Sequence, residues 1–257
     1  MMECERPYYR DLKCRPFLFY VMFGVKNEEL RVSRKRHHVD GFPDGLELVF
    51  CDRKKNDAYM RSLMGDSLGR ILDREKHDLY EIVKETDQWA VIRGEVCQDS
   101  DLKYMQNTIG FIQALIDNGA VGVLDLQTLS LYSSAEWSNR FFEREWNPYD
   151  HVTILASEME DGLTWLHTRG MRKFGRPDIG VWKVAPDESE EAVQVINQMI
   201  YYGSLGAFFE REVRFHTQSG NTYLVNPHFV ADYENPDFNN AYYRFEWREC
   251  KPQKSFQ

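Results

Sequence analysis

The stretch from Trp89 to Leu126 constrains the fold more tightly than any other part of the chain. Trp89-Ala90-Val91-Ile92-Arg93-Gly94-Glu95-Val96 has the length and β-branched content of a strand. Asp99-Ser100-Asp101 then supplies cap residues, and Leu102, Met105, Ile109, Ile112 and Ile116 recur at helical spacing. Asn118-Gly119 suits a left-handed helix stop, and Ala120 to Leu126 is again strand-like. A strand, a helix and a strand in this order predict a right-handed parallel crossover.

The flanking elements are of both kinds. Phe17 to Phe23 is a continuous apolar run, as in a strand buried on both faces, and Leu46 to Phe50 is a second strand. Met60, Leu63, Met64, Leu68, Ile71 and Leu72 fall at helical spacing, with a further helix through Leu79, Ile82 and Val83. Ser133 and Glu136 stand at capping-box spacing before Trp137 and Phe141. His151 to Leu155 and Leu163 to His167 read as a hairpin across Asp161-Gly162, and Ile179 to Val184 as a strand. Val193, Ile196 and Ile200 mark a helix that Gly203 ends. Val213 to His216 and Thr222 to Val225 flank Ser219-Gly220-Asn221 as a second hairpin. Tyr243, Phe245 and Trp247 alternate with charged residues, as in a half-buried strand. Crossovers mixed with hairpins predict an α+β fold, its helices packed on mixed sheets. No clear linker appears, and the expected division is 1–88, 89–248 and a tail at 249–257, with one compact domain as the alternative.

Charge narrows the class of partner. Residues 1–90 hold 17 Lys and Arg against 17 Asp and Glu, which leaves 15 against 24 and the whole net charge of −9 for the remainder. Such an acidic body lacks the broad basic face of a nucleic-acid binder, so nucleic acid is not an expected partner. The longest apolar run, Phe17 to Val25, is too short to span a membrane. Cys4, Cys14, Cys51, Cys97 and Cys250 are scattered and odd in number, which predicts free thiols in a reducing compartment. Met1 to Pro7 has no signal-peptide pattern. A cytoplasmic location follows as the expectation.

Gly65-Asp66-Ser67-Leu68-Gly69 matches G-x-S-x-G and spells the Gly-Asp-Ser-Leu block of an esterase family. Either motif needs its serine on a turn that follows a hydrophobic strand. Here Tyr59 to Met64 precede it at helical spacing, and no histidine has an aspartate three residues before it. Ser67 is therefore read as a helix residue. Arg31 to His38 is the densest basic run, able to grip phosphate or to lie as a solvated loop beside Glu28, Glu29 and Asp40. His37-His38, His151, His167, His216 and His228 show no metal-ligand spacing, and neither a P-loop nor G-x-G-x-x-G occurs, so no metal and no cofactor are expected.

His167-Thr168-Arg169-Gly170-Met171-Arg172-Lys173-Phe174-Gly175-Arg176-Pro177-Asp178 reverses the local charge. Glycines bracket one helical turn, and Arg169, Arg172, Lys173 and Arg176 are candidates for an anion pocket. His167 is the candidate acid–base group, with Asp125, at a strand's carboxyl end, as a second polar group. The competing reading is a connection whose glycines shape the backbone and whose arginines pair internally.

This segment is similar to a His-Thr-x-Gly-Met-x-x-Phe-Gly-x-Pro-Asp/Glu run that leads into a strand in bacterial families of unknown function. The resemblance spans Trp89 to Gly203. It implies an α+β fold and a bacterial origin, and it assigns no catalytic residue. The missing catalytic constellation and an aromatic content of 14% point to a non-enzymatic binding or regulatory module, of the immunity or stress-associated kind. Its partner would be a protein or a small anionic ligand, with Asp232 to Phe238 and Tyr242-Tyr243 as the expected surface. The alternative is an enzyme acting on a phosphorylated or carboxylated small molecule.

Overall fold

A computed structural model of the chain describes residues 5–11, 14–26, 30–250 and 252–254. They fall into two units, one holding Phe17–Trp146 and the other Arg6–Pro16 with the residues from Asn147 onward.

In the first unit the elements are β1 (Phe17–Phe23), α1 (Arg34–His37), β2 (Leu46–Asp52), α2 (Arg53–Met64), α3 (Asp66–Lys84), β3 (Gln88–Glu95), α4 (Lys103–Asp117), β4 (Gly122–Asp125), β5 (Ser130–Ser133) and α5 (Ser134–Trp137). A π turn over Ser138–Phe142 continues α5. The sheet order is β2-β3-β1-β4-β5, and every neighbouring pair is antiparallel. The expected crossover is altered in one respect. β3 and β4 do run parallel to each other, yet β1 lies between them, with Phe23 opposite Trp89 on one side and Gly122 on the other. No unit edge falls at residue 88, because β3 is bonded on both sides to strands drawn from the first 52 residues.

Alternation along β1 divides the core. Val21 and Phe23 join Trp89, Val91 and Leu124 under Met60, Met64, Leu72 and Val83 of α2 and α3. Leu18, Tyr20 and Met22 face the opposite way, where α4 packs on β1 and Tyr20 meets Trp137 edge-on at 5.5 Å. Each such side chain contributes about 1.5–3 kcal/mol on burial. The capping box at α5 is complete: Ser133 Oγ accepts from Glu136 N at 3.2 Å, and the Glu136 carboxylate accepts from Ser133 N at 2.8 Å.

The second unit holds β6 (Thr153–Glu158), β7 (Thr164–Arg169), β8 (Asp178–Val184), α6 (Ser189–Ser204), β9 (Val213–His216), β10 (Asn221–Val225), β11 (His228–Val230), β12 (Tyr242–Glu246) and β13 (Pro252–Lys254). One sheet runs β11-β12-β8-β7-β6 and a smaller one β13-β10-β9. Among the described residues only β8 and β12 pair in parallel. Both expected hairpins form, with Leu155 opposite His167 and Phe215 opposite Tyr223. α6 lies on β8 and buries Ala192, Val195, Ile196 and Met199 completely. The chain is thus α+β.

Among the described residues no helix is long and apolar enough to cross a membrane. Cys14, Cys51, Cys97 and Cys250 are free, and Cys4 lies outside the described residues.

Candidate functional site

The basic segment occupies the turn between β7 and β8, where Met171–Phe174 form one 3₁₀ turn bracketed by Gly170 and Gly175, as expected. Its cations point into the second unit. Arg176 is 2% exposed. Its Nε donates to the carbonyls of Gly206 and Ala207 at 3.2 and 3.1 Å, Nη1 to Gly175 at 2.7 Å, and Nη2 to Gly206 and Arg10 at 2.7 and 3.3 Å. Two of those carbonyls lie just past the end of α6, where partial negative charge gathers. Arg169 Nη1 donates to the carbonyls of Pro236 and Asp237 at 2.9 and 3.0 Å, and Arg172 Nη1 to that of Asn239 at 3.1 Å. Lys173 is fully buried. The three arginines that the sequence offers to an external anion thus donate to backbone carbonyls.

Asp178 closes the same network. Its carboxylate accepts from Thr168 Oγ1 at 2.8 Å, Met171 N at 3.2 Å and Asn240 Nδ2 at 2.8 Å. Complete burial nevertheless pushes its pKa up to about 6. His167 is 5% exposed, stacks on Trp165 at 4.1 Å and meets Phe238 edge-on. Its Nδ1 has no partner among the described residues, and burial lowers its pKa. Asp125 belongs to the other unit, where Oδ1 accepts from Gln127 N and Thr128 N at 2.9 and 3.4 Å and shapes the turn after β4. The structure groups these two candidate catalytic residues in no common unit.

A different group of residues does converge. In the first unit a cavity of about 350 Å³ is lined by His37, His38, Gln106, Ile109, Phe141 and Phe142, together with residues 143–146. Its geometry starts at Ser33, whose Oγ caps α1 by accepting from Arg36 N at 3.2 Å. Ser33 N donates to His37 Nδ1 at 3.0 Å, which leaves the ring proton on Nε2, 3.1 Å from Asp117 Oδ2. Arg36 Nη2 reaches the same oxygen at 2.6 Å. Gln113 Nε2 donates to Asp117 Oδ1 at 3.2 Å, and Gln113 Oε1 accepts from Ser138 Oγ, the first residue of the π turn, at 2.8 Å. One chain of hydrogen bonds thus runs from α1 to the π turn, a helix defect often found at functional sites.

Gly110 makes this docking possible. A Cβ there would stand 2.1 Å from the His37 carbonyl oxygen and 2.4 Å from Val39 Cγ1. His38 adopts a left-handed conformation (φ 55°) and lies over Phe142, ring centroids 5.5 Å apart. His37 also borders an open trough lined by Arg31, Ser33, Arg36, Asp117 and Asn118. The basic run therefore folds as a helical turn with Arg36 on Asp117, while Glu28 and Glu29 lie outside the described residues.

The cavity can hold and orient a small molecule. Both His37 ring nitrogens are engaged, and the described lining contains no serine, threonine, cysteine, lysine or tyrosine, while Glu143 and Glu145 bring carboxylates. Ser67 sits in the first turn of α3, exposed, with Arg70 Nη2 3.4 Å from its Oγ, and α2 precedes it rather than a strand. One ligand-spaced set does exist where none was expected. Asp73, His77 and Glu81, four residues apart along α3, bring potential metal-ligand atoms within 4.8 Å of one another. His77 already bonds Asp73 at 2.6 Å and Lys84 bonds Glu81 at 2.5 Å.

No protein-family model, curated protein or solved structure matches the chain.

Two outcomes follow from the basic segment. Arg176→Ala should destabilise the protein by about 3–5 kcal/mol in urea unfolding, with no rescue by Arg176→Lys, because buried carbonyls lose a forked donor. An unchanged midpoint would show that the guanidinium is dispensable. Asp178 has a folded pKa above its ordinary 3.8, so its contribution to stability is full below that value and is lost as pH rises through about 6. The urea midpoint of wild type relative to Asp178→Asn should fall across that window, and a flat difference would contradict the assignment.

Proposed function

We propose that the protein is a non-enzymatic binding module that holds a small carboxylated ligand with a planar body in the cavity between α1, α4 and the π turn. The single observation that carries this reading is the cavity's lining, in which Phe141, Phe142, Trp146 and Ile109 stand beside a His37 ring fixed by hydrogen bonds. Ligand pockets generally have this character, mostly apolar with a few fixed polar groups. Phe141, Phe142, Ile109 and His38 offer surfaces for a flat ring. Arg144 in the lining suits a carboxylate, while Glu143 and Glu145 suit an ammonium group. An aromatic amino acid is the simplest molecule that meets both demands.

The enzymatic reading has less behind it. It relied on Arg169 and Arg176 to hold an anion, and their guanidinium groups donate to carbonyls inside the second unit. The resemblance of residues 89–203 and the scattered cysteines favour a bacterial, cytoplasmic setting, which we include in the proposal. Within it the bound molecule acts as a signal that changes what the protein contacts.

Thermal unfolding with L-tryptophan, indole-3-acetate and tryptamine tests the reading. A ligand at a hundred times its Kd adds about 2.7 kcal/mol to the form that binds it, several degrees of Tm for a chain of this size. L-Tryptophan and indole-3-acetate should raise Tm, tryptamine should raise it less, and Gln106→Trp, which adds an indole to the lining, should remove the shift. No shift with any of the three, or an undiminished shift in Gln106→Trp, would contradict the proposal.

A further inference from the structure

The open trough that His37 borders has a volume of about 560 Å³ and its own set of polar groups. Arg31, Ser33 and Arg36 line it, together with Ala114, Asp117 and Asn118 from the end of α4. Asp117 is already shared. Arg36 Nη2 reaches its Oδ2 at 2.6 Å, His37 Nε2 lies 3.1 Å from the same oxygen, and Gln113 Nε2 donates to Oδ1 at 3.2 Å. Its one negative charge is therefore matched by Arg36. Arg31 has no such match: among the described residues nothing engages its guanidinium. Ser33 Oγ accepts from Arg36 N at 3.2 Å, and its hydroxyl proton has no acceptor among the described residues. Asn118 Nδ2 donates to the Lys26 carbonyl at 2.8 Å, which orients the amide and leaves Oδ1 as an acceptor. Arg34 and Lys35 add positive charge on α1, in a chain whose net charge is −9.

The chemistry of these groups selects the ligand. One guanidinium fork satisfies a planar carboxylate, whereas a phosphate presents three oxygens in different directions and takes several charge-assisted donors. The Arg31 fork, the remaining N–H groups of Arg36 and the Ser33 hydroxyl are such donors. Asn118 Oδ1 suits a hydroxyl of the molecule that carries the phosphate. A lipid would also bring acyl chains, and Ala114 is the sole aliphatic side chain in the described lining. We propose that this trough binds the phosphate group of a small, soluble, hydroxyl-bearing phosphate monoester. The site adjoins the aromatic cavity and does not depend on what that cavity holds.

Titrating glycerol 3-phosphate into the full chain, followed by NMR of the side-chain N–H signals, tests this. The work is done at 0.15 M salt, where the Debye length is about 8 Å and diffuse attraction is largely screened. The Arg31 Nε–H and Asn118 Nδ2 signals should shift to saturation, with inorganic phosphate weaker and glycerol without effect. Arg31→Ala should weaken binding about tenfold or more, with Tm unchanged because the side chain is exposed and unpaired among the described residues. Arg31→Lys, which keeps the charge and loses the fork, should fall between the two. Arg34→Ala with Lys35→Ala, outside the lining, should keep most of the affinity, and Gln106→Trp should keep all of it, so this site and the cavity reading fail separately. Absence of saturation, or an equal loss in the Arg34 and Lys35 variant, would overturn the proposal. So would binding to phosphatidate vesicles without binding of glycerol 3-phosphate. Binding that emerges only after Glu28→Gln with Glu29→Gln would also overturn it, since Arg31 would then serve those carboxylates.

Discussion

Arg176 lies buried in the second unit with its guanidinium turned to carbonyl oxygens of residues 10, 175, 206 and 207. Arg6 stands beside it, donating to the Ser204 carbonyl at 3.1 Å and the Phe174 carbonyl at 2.7 Å. The last carbonyls of a helix have no partner within it, and burying them unpaired costs free energy. Here two forked cations supply the donors and also complement the negative end of α6. The backbone had to come close for this. Gly175 and Gly206 have positive φ, and a Cβ on either would meet main-chain atoms of the 6–16 segment at 2.6–2.7 Å. Arg169 and Arg172 extend the same device to carbonyls of residues 236–239, and Asn240 ties Asp178 to that stretch. Segments remote in sequence are thereby joined through a few planar donors.

The first unit solves a comparable problem with a carboxylate at the centre. Asp117, in the last turn of α4, gathers Arg36, His37 and Gln113, and through Gln113 reaches Ser138 at the start of the π turn. Because both of its ring nitrogens have partners, the imidazole of His37 forms a fixed wall. The cavity beside it inherits its shape from that wall and from Gly110, where any side chain would drive α1 away from α4. Proposed binding thus rests on a scaffold held by hydrogen bonds, with apolar rings left to meet the ligand.

How much of this was legible in the sequence depends on how local the cause is. β3, α4 and β4 appear where periodicity puts them, and Ser133 caps α5 as its spacing requires. The position of β1 between β3 and β4 was hidden, since periodicity gives a strand's faces and never its neighbours. The turn Met171–Phe174 was visible from its two glycines, but the aim of Arg176 depends on carbonyls 30 and 166 residues away. Gly110, inside an otherwise regular helical stripe, was an available signal of close approach. The π turn at Ser138–Phe142 left none.

The central claim is that a ligand enters the first unit's cavity and not the basic turn of the second. Ile109 lines the cavity and Met171 lies in the basic turn, so their methyl groups report on the two places separately. In methyl NMR of the full chain labelled at Ile and Met, adding L-tryptophan should shift the Ile109 δ1 signal to saturation and leave the Met171 ε signal unmoved. Movement of Met171 with Ile109 unchanged, or of neither, would contradict the account.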